Sequence, residues 1–214
     1  MQFNITVLVV FGVYLLQVIE LIFFPLPSEV STYAILTENG ADDESTDSPV
    51  KFKSLAHFVI ATTGTVLSLV TFLLPAAIMV YPPIHTFLIP FDMLEISVVF
   101  SIGLISMAVG SLLTIIAVVQ ISRFKSIDSG ESIYRKGLYG FCRHPISLGL
   151  MLIVVGFLLR FPSAGMLVGA IIFMSNVVAR IRWEEKVLEA RHGKAIRQYY
   201  ASTGRFCPKG KLNE

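Results

Sequence analysis

The stretch whose reading decides the fold runs from Tyr134 to Tyr200: YRKGLYGFCRHPISLGLMLIVVGFLLRFPSAGMLVGAIIFMSNVVARIRWEEKVLEARHGKAIRQYY. It holds two apolar runs, Pro145–Arg160 and Ser163–Ile181, parted only by Phe161-Pro162. A membrane-spanning helix needs roughly 20 mostly apolar residues to cross a hydrocarbon layer of about 30 Å. The two runs therefore read as a tight helical hairpin in a bilayer, the first of them short enough for its polar flanks to reach the interface. A hairpin returns both of its ends to one face. The basic and His-containing cluster before it can then meet the Glu pair after it, although they stand some forty positions apart.

Working outward, three more apolar runs precede the hairpin: Asn4–Phe24, His57–Val80 and Ser97–Ile121. The whole chain is 54% hydrophobic and only 15% charged, well away from the roughly 45–50% and 25% of soluble domains. Its mean hydropathy of +0.73 says the same. The expectation is an all-α integral membrane protein of about five transmembrane helices, with a C-terminal helical hairpin and a cytosolic amphipathic tail. Residues 1–214 read as a single membrane domain, with three N-terminal spans in 1–121 and a cofactor-binding catalytic region in 122–214. The first run has no basic lead-in and no small-residue cleavage pattern, and is too apolar along its length for a signal peptide. Residues 26–54 carry Glu38, Asp42, Asp43, Glu44 and Asp47 without apolar periodicity and read as a mobile acidic loop.

Five spans put sixteen of the seventeen Lys and Arg residues on one side, leaving Arg160 opposite. Basic residues stay in the cytosol, so the N-terminus is expected outside and the C-terminus inside. That places the chain in the endoplasmic reticulum of a eukaryote or the inner membrane of a prokaryote. Cys142 and Cys207 then face a reducing compartment and form neither a disulfide framework nor a metal set. Glu20, with Gln17 a turn earlier, is an intramembrane carboxylate and so a functional candidate, though it stands near enough to the helix end to reach headgroups. Gly165 and Gly169 make a small-xxx-small pair of the helix-packing kind.

The residues around the hairpin suggest chemistry. Pro145 suits the first turn of a helix, where its missing N–H costs nothing. The N–H groups of that turn carry partial positive charge and, with Arg143 and His144, form a place for an anion. Alternatively, Arg143 and Lys136 only anchor the span to headgroups. Glu184 and Glu185 follow a span directly, where a carboxylate is costly without a partner. Arg180 stands four residues before Glu184, a spacing that shares one helix face; the bland reading is a surface salt bridge. Tyr199, Tyr200 and Arg205 lie in the basic amphipathic tail, which also suits an interfacial helix on anionic lipid.

Two ordered motifs go further. Gly137, Tyr139, Arg143, His144, Pro145 and Gly149 form one. Glu184, Glu185, Leu188, Gly193, Tyr199, Gly204, Arg205 and Pro208 form the other. Over about 75 residues the chain resembles the isoprenylcysteine carboxyl methyltransferase and phospholipid methyltransferase superfamily. It departs from the pattern at Ser147, His192 and Ile196, where the family has Tyr, Phe and Tyr. The resemblance implies S-adenosylmethionine as cofactor, bound by Tyr139, Arg143, His144, Pro145, Glu184, Glu185, Tyr199 and Arg205. It implies a lipidic or prenylated substrate, with membrane lipids as partners and neither nucleic acid nor metal. Arg180 matches a basic position of the family ahead of the Glu pair and is the expected catalytic residue, holding an acidic substrate group.

A carboxylate acceptor needs no general base, whereas an ammonium acceptor must first lose a proton. The sequence offers no base that the cofactor does not already claim. The balance therefore tilts toward carboxyl O-methylation of an isoprenylated cysteine, with N-methylation of phosphatidylethanolamine as the alternative. An NADPH-dependent sterol-type reductase and a non-enzymatic channel or scaffold are the rivals from other classes. The short chain speaks against the first, and the scarcity of ionisable residues in the first three spans against the second.

Overall fold

A computed structural model of the chain describes residues 9–12, 14–15, 55–91, 97–127 and 135–206. The acidic loop, Gln17, Glu20, Cys207 and Pro208 lie outside the described residues. Seven helices follow in order: α1 (Leu55–Val80), α2 (Pro83–Phe87), α3 (Ser97–Ile127), α4 (Leu138–Phe141), α5 (Pro145–Arg160), α6 (Ala164–His192) and α7 (Lys194–Ser202). Residues 9–12 and 14–15 are helical as well. The described residues contain only isolated β-bridges and no strand.

Among the described residues two helices are long and apolar enough to cross a membrane, over Ser97–Phe124 and Ala164–Lys186. α5 has 16 residues, hence about 24 Å of length, less than the hydrocarbon thickness. α6 does not stop at Ile181. It runs on to His192, where Gly193 adopts φ +52° and lets α7 begin at once in a new direction. The Glu pair therefore sits within a continuous helix rather than in a tail.

α3 and α5 share the largest interface, and glycine makes it. Gly103 meets Gly156, and Gly110 meets Gly149; each pair is offset by seven residues in opposite chain directions, as antiparallel helices require. A Cβ on Gly110 would lie 2.6 Å from the Gly149 carbonyl oxygen, so the two backbones touch. Ser106 crosses the same seam, its hydroxyl donating to the Leu152 carbonyl at 2.7 Å. Gly169 packs on Thr71 of α1 and Gly165 on Leu88, in keeping with their reading as packing residues. Asn176 of α6 donates to Ser68 Oγ of α1 at 3.0 Å, tying these helices by a polar contact in an apolar setting.

The core gathers on Phe157, which is fully buried between Tyr14 and Phe72 with ring centroids 6.0 and 5.6 Å away. Val10, Ile78, Met107, Ile153, Phe161 and Met166 are buried around it. At one end of the bundle the α5–α6 turn is fastened from outside. Phe91 N–H donates to the Pro162 carbonyl, and the Ala164 and Gly165 N–H groups donate to Ile89 and Leu88. Arg160 at this end lies over the Phe100 and Phe161 rings at 4.7 and 5.5 Å. The opposite end, where α3 finishes, α5 starts and α6 emerges, carries the charged motifs.

Candidate functional site

The turn ahead of α5 explains the first motif residue by residue. Gly137 has φ +60°, and a side chain there would strike the Gln120 amide at 2.6 Å. Gln120 uses that closeness to accept the Leu138 N–H through Oε1 at 3.0 Å, fixing α4 to α3. The Tyr139 carbonyl accepts the Tyr199 hydroxyl at 2.6 Å. Pro145 is buried as the first residue of α5, behind His144 as N-cap. Gly149 is the point of closest approach to α3, against Thr114 and Gly110.

The second motif closes over the first. Residues 203–205 lie alongside 142–144: Arg143 N–H donates to the Gly204 carbonyl at 2.9 Å and His144 N–H to the Arg205 carbonyl at 3.2 Å. Cys142, whose side chain is buried, pairs its backbone with Gly204 in a parallel bridge. α7 sits on this seam through buried Ile196 and Tyr199. Arg135, which the motifs do not include, pins α7 by donating from Nη2 to the Ala195 carbonyl at 2.8 Å and lies 5.7 Å over the Tyr199 ring.

Glu185 is the hub. Its carboxylate, 8% exposed, receives Arg143 Nη1 at 2.9 Å and a two-pronged contact from Arg205, Nε at 2.9 Å and Nη2 at 2.6 Å. Two guanidiniums on one carboxylate keep it ionised and fix all three side chains. Arg143 in turn lies 4.4 Å over the Tyr200 ring, whose hydroxyl donates to the Glu185 carbonyl at 3.3 Å. Burial raises the Tyr200 phenol above its ordinary range and pushes Tyr199 up to about 12, so both stay protonated. The Glu185 carboxylate holds the Arg205 guanidinium more firmly protonated still.

Glu184 is different. It is one-quarter exposed, and its Oε1 takes Arg180 Nε at 3.1 Å. Its Oε2 lies 3.7 Å from His144 Nδ1, while His144 Nε2 lies 3.5 Å from Glu185 Oε1. The imidazole thus stands between two carboxylates, with Nε2 buried and without a hydrogen bond. Burial lowers the His144 pKa below its usual value; the Glu185 charge opposes this, and Arg143 and Arg205 add to it. Arg143 Nε is likewise buried without a partner.

Every residue of the expected site except Arg180 therefore falls in one contiguous layer, from the Tyr139 carbonyl through Arg143, His144 and Pro145 to Glu184, Glu185, Tyr199 and Arg205. Arg180 stands at its edge, 51% exposed and held to the layer through Glu184. The motif reading missed Gln120 and Arg135, which do not lie in it, and the glycines of α3. The spacing Gly103–Gly110 against Gly149–Gly156 was the signal for the last. Among the described residues no group of three His, Cys, Asp or Glu gathers as a metal site would.

A family model described as phospholipid methyltransferase matches this region. Residues 98–195 carry that family's pattern. The match runs from the start of α3 into α7 and bears out the resemblance drawn from the motifs. It carries the coarse assignment of a membrane methyltransferase, a class that generally uses S-adenosylmethionine. Tyr199 and Arg205 fall beyond the matched residues. No curated protein and no solved structure matches the chain.

Proposed function

We propose that the chain is a membrane methyltransferase that uses S-adenosylmethionine to methylate the amine of an ethanolamine-type phospholipid, with its N-terminus outside and its C-terminus in the cytosol. The observation that carries the choice of acceptor is His144. Burial favours its neutral form, which holds one N–H and one lone pair. Two carboxylates face the ring at 3.5 and 3.7 Å. An ammonium acceptor must lose a proton before it can act as a nucleophile, and a neutral imidazole beside carboxylates is suited to take it. The sequence alone offered no such base; in this reading the buried His144 serves as one. The family match, described as phospholipid methyltransferase, points the same way.

The residues fit the cofactor. Its amino-acid end carries a carboxylate and an ammonium, and the cluster presents guanidiniums and carboxylates side by side. Arg143, with a buried Nε lacking a partner, and the helix N-terminus at Pro145 would hold the carboxylate. Glu184, more exposed than Glu185, would hold the ammonium or the ribose hydroxyls. When bound, the cofactor supplies an electrophilic methyl group on a sulfonium. Glu185 keeps Arg143 and Arg205 in place, and Arg205 with residues 203–205 covers the site from outside. His144 accepts the proton of the substrate ammonium on the nitrogen that bears its lone pair. Glu184, reaching both His144 and solvent, stabilises the resulting imidazolium and passes the proton on. The alignment of amine with methyl group and the exclusion of water provide the rest.

A second reading keeps a carboxylate acceptor. Arg180 is half exposed, and only its Nε is engaged, which leaves a face of the guanidinium for an isoprenylcysteine carboxylate. A radiolabelled methyl-transfer assay offering phosphatidylethanolamine and farnesylcysteine analogues side by side decides between them. Label in the phospholipid, lost in His144→Ala, is the expected result. Label in the farnesylcysteine alone would exclude the amine acceptor.

A further inference from the structure

At the site end of α6 four arginines have carboxylate partners. Arg143 and Arg205 face Glu185, Arg180 faces Glu184, and Arg197 faces Glu189 at 2.7 Å. Arg182 is exposed and has no ion-pair partner among the described residues. It heads an open depression of about 370 Å³ lined by Met174, Ser175, Val178, Ala179 and Arg182. These positions recur every three to four residues, so they form one stripe along the helix. The stripe continues away from the site through Ile171, Val168 and Leu167, all exposed. From Leu167 to Arg182 the helix rises about 22 Å, more than the roughly 15 Å depth of one leaflet's hydrocarbon.

We infer that Arg182 anchors the phosphate of the phospholipid acceptor, whose acyl chain lies along this trough of α6. The inference rests on the phospholipid reading above and names the residue that would select it. A planar guanidinium with no carboxylate partner among the described residues matches a phosphodiester with two parallel hydrogen bonds. The apolar track below it matches the chain attached to that phosphate. In an ethanolamine phospholipid the amine is two carbons from the phosphate. Anchoring at Arg182 keeps it beside the next turn of α6, where Glu185, three residues on, shares that helix face. Arg182 touches neither the hub nor His144, so it is a positioning residue for the acceptor and not part of the cofactor cluster.

The test uses the full chain in bicelles containing equal amounts of dioleoylphosphatidylethanolamine and dioleoylglycerol, which lacks the phosphate. Lipid retained after washing is counted by native mass spectrometry, and S-adenosylhomocysteine binding is measured on the same samples. Wild type should retain the phospholipid at least tenfold over dioleoylglycerol. Arg182→Gln should bring the two near parity, Arg182→Lys should keep part of the preference, and Val178→Trp should displace both lipids. Cofactor affinity should stay within twofold in all three. In methyl transfer, Arg182→Gln should raise KM for the phospholipid at least tenfold with kcat within threefold. A wild-type preference surviving in Arg182→Gln overturns the anchor, as does wild-type protein that holds both lipids equally. Retention needs no turnover, so the two readings fail separately. A chain that holds the phospholipid through Arg182 yet methylates only farnesylcysteine supports the anchor and overturns the amine acceptor.

Discussion

Replacing Gly110 by alanine tests the α3–α5 seam on which the site stands. The added methyl would lie 2.6 Å from the Gly149 carbonyl oxygen and 2.9 Å from both the Ile153 nitrogen and its Cγ1. A carbon rests against a carbonyl oxygen at about 3.3 Å or more, so the helices must part by roughly 0.7 Å. Two of the three obstacles are backbone and cannot rotate away. Overpacking of this kind costs about 1–3 kcal/mol, and the rigid neighbours argue for the upper half of that range. At about 2–4 °C per kcal/mol for a chain of this size, the melting temperature should fall by roughly 4–12 °C. Gly165→Ala is the comparison. Its methyl meets the Leu88 Cδ2 at 2.5 Å, but that is the end of a flexible side chain that can swing aside, so its loss should be smaller. Gly149 lies one turn into α5 from His144, so parting the helices should also displace Arg143 and His144 from the Glu pair. Thermal unfolding of both variants in one detergent at one scan rate, with S-adenosylhomocysteine titration, reads both effects. Gly110→Ala melting within a degree of wild type, or above Gly165→Ala, would show that the two backbones are not in contact.

Glu185→Gln removes the charge shared by Arg143 and Arg205 and should destabilise by about 1.5–3 kcal/mol, the range for hydrogen bonds to charged groups. Arg205→Gln should cost clearly less, because Arg205 is 45% exposed and its pairing is screened by solvent; equal losses in thermal unfolding would contradict the hub. For His144, the folded pKa is lowered from 6.5, so stability is full above that value and falls as pH drops through the folded one. Melting from pH 8 to 5 should therefore decline more steeply in wild type than in His144→Gln, and parallel curves would remove the case for a buried neutral imidazole. Methyl transfer to an amine should decline over the same window. A C-terminal reporter should be cytosolic and an N-terminal one should not; a fusion map placing residues 122–144 outside would reverse the topology.

Much of the architecture was legible in the sequence because it follows from local pattern. The apolar runs, Phe161-Pro162 between the last two of them, and Pro145 after Arg143-His144 gave α5, the turn and most of α6. Hydrophobic length and the geometry of proline need no tertiary partner to act. The joining of the two motifs was legible for the same reason, since a tight hairpin must return its ends to one face. The first span and the acidic loop lie largely or wholly outside the described residues, so the count of five rests on sequence.

Only the tertiary structure separated Glu184 from Glu185. The two are adjacent in sequence and identical in type, yet a helix turns about 100° between neighbours, so one meets Arg143 and Arg205 while the other faces Arg180 and His144. Packing likewise buried His144 between two carboxylates, and that burial lowers its pKa below the usual value, which no motif specifies. It left Arg182 without a carboxylate partner among the described residues while Arg180 paired with Glu184. Ion pairing and burial depend on which faces meet across elements far apart in sequence, and single-chain periodicity carries no record of that. The sequence by itself carried the hairpin, the apolar runs and the resemblance to the family; the packing of α3, α5, α6 and residues 203–205 decided which carboxylates, guanidiniums and imidazole meet.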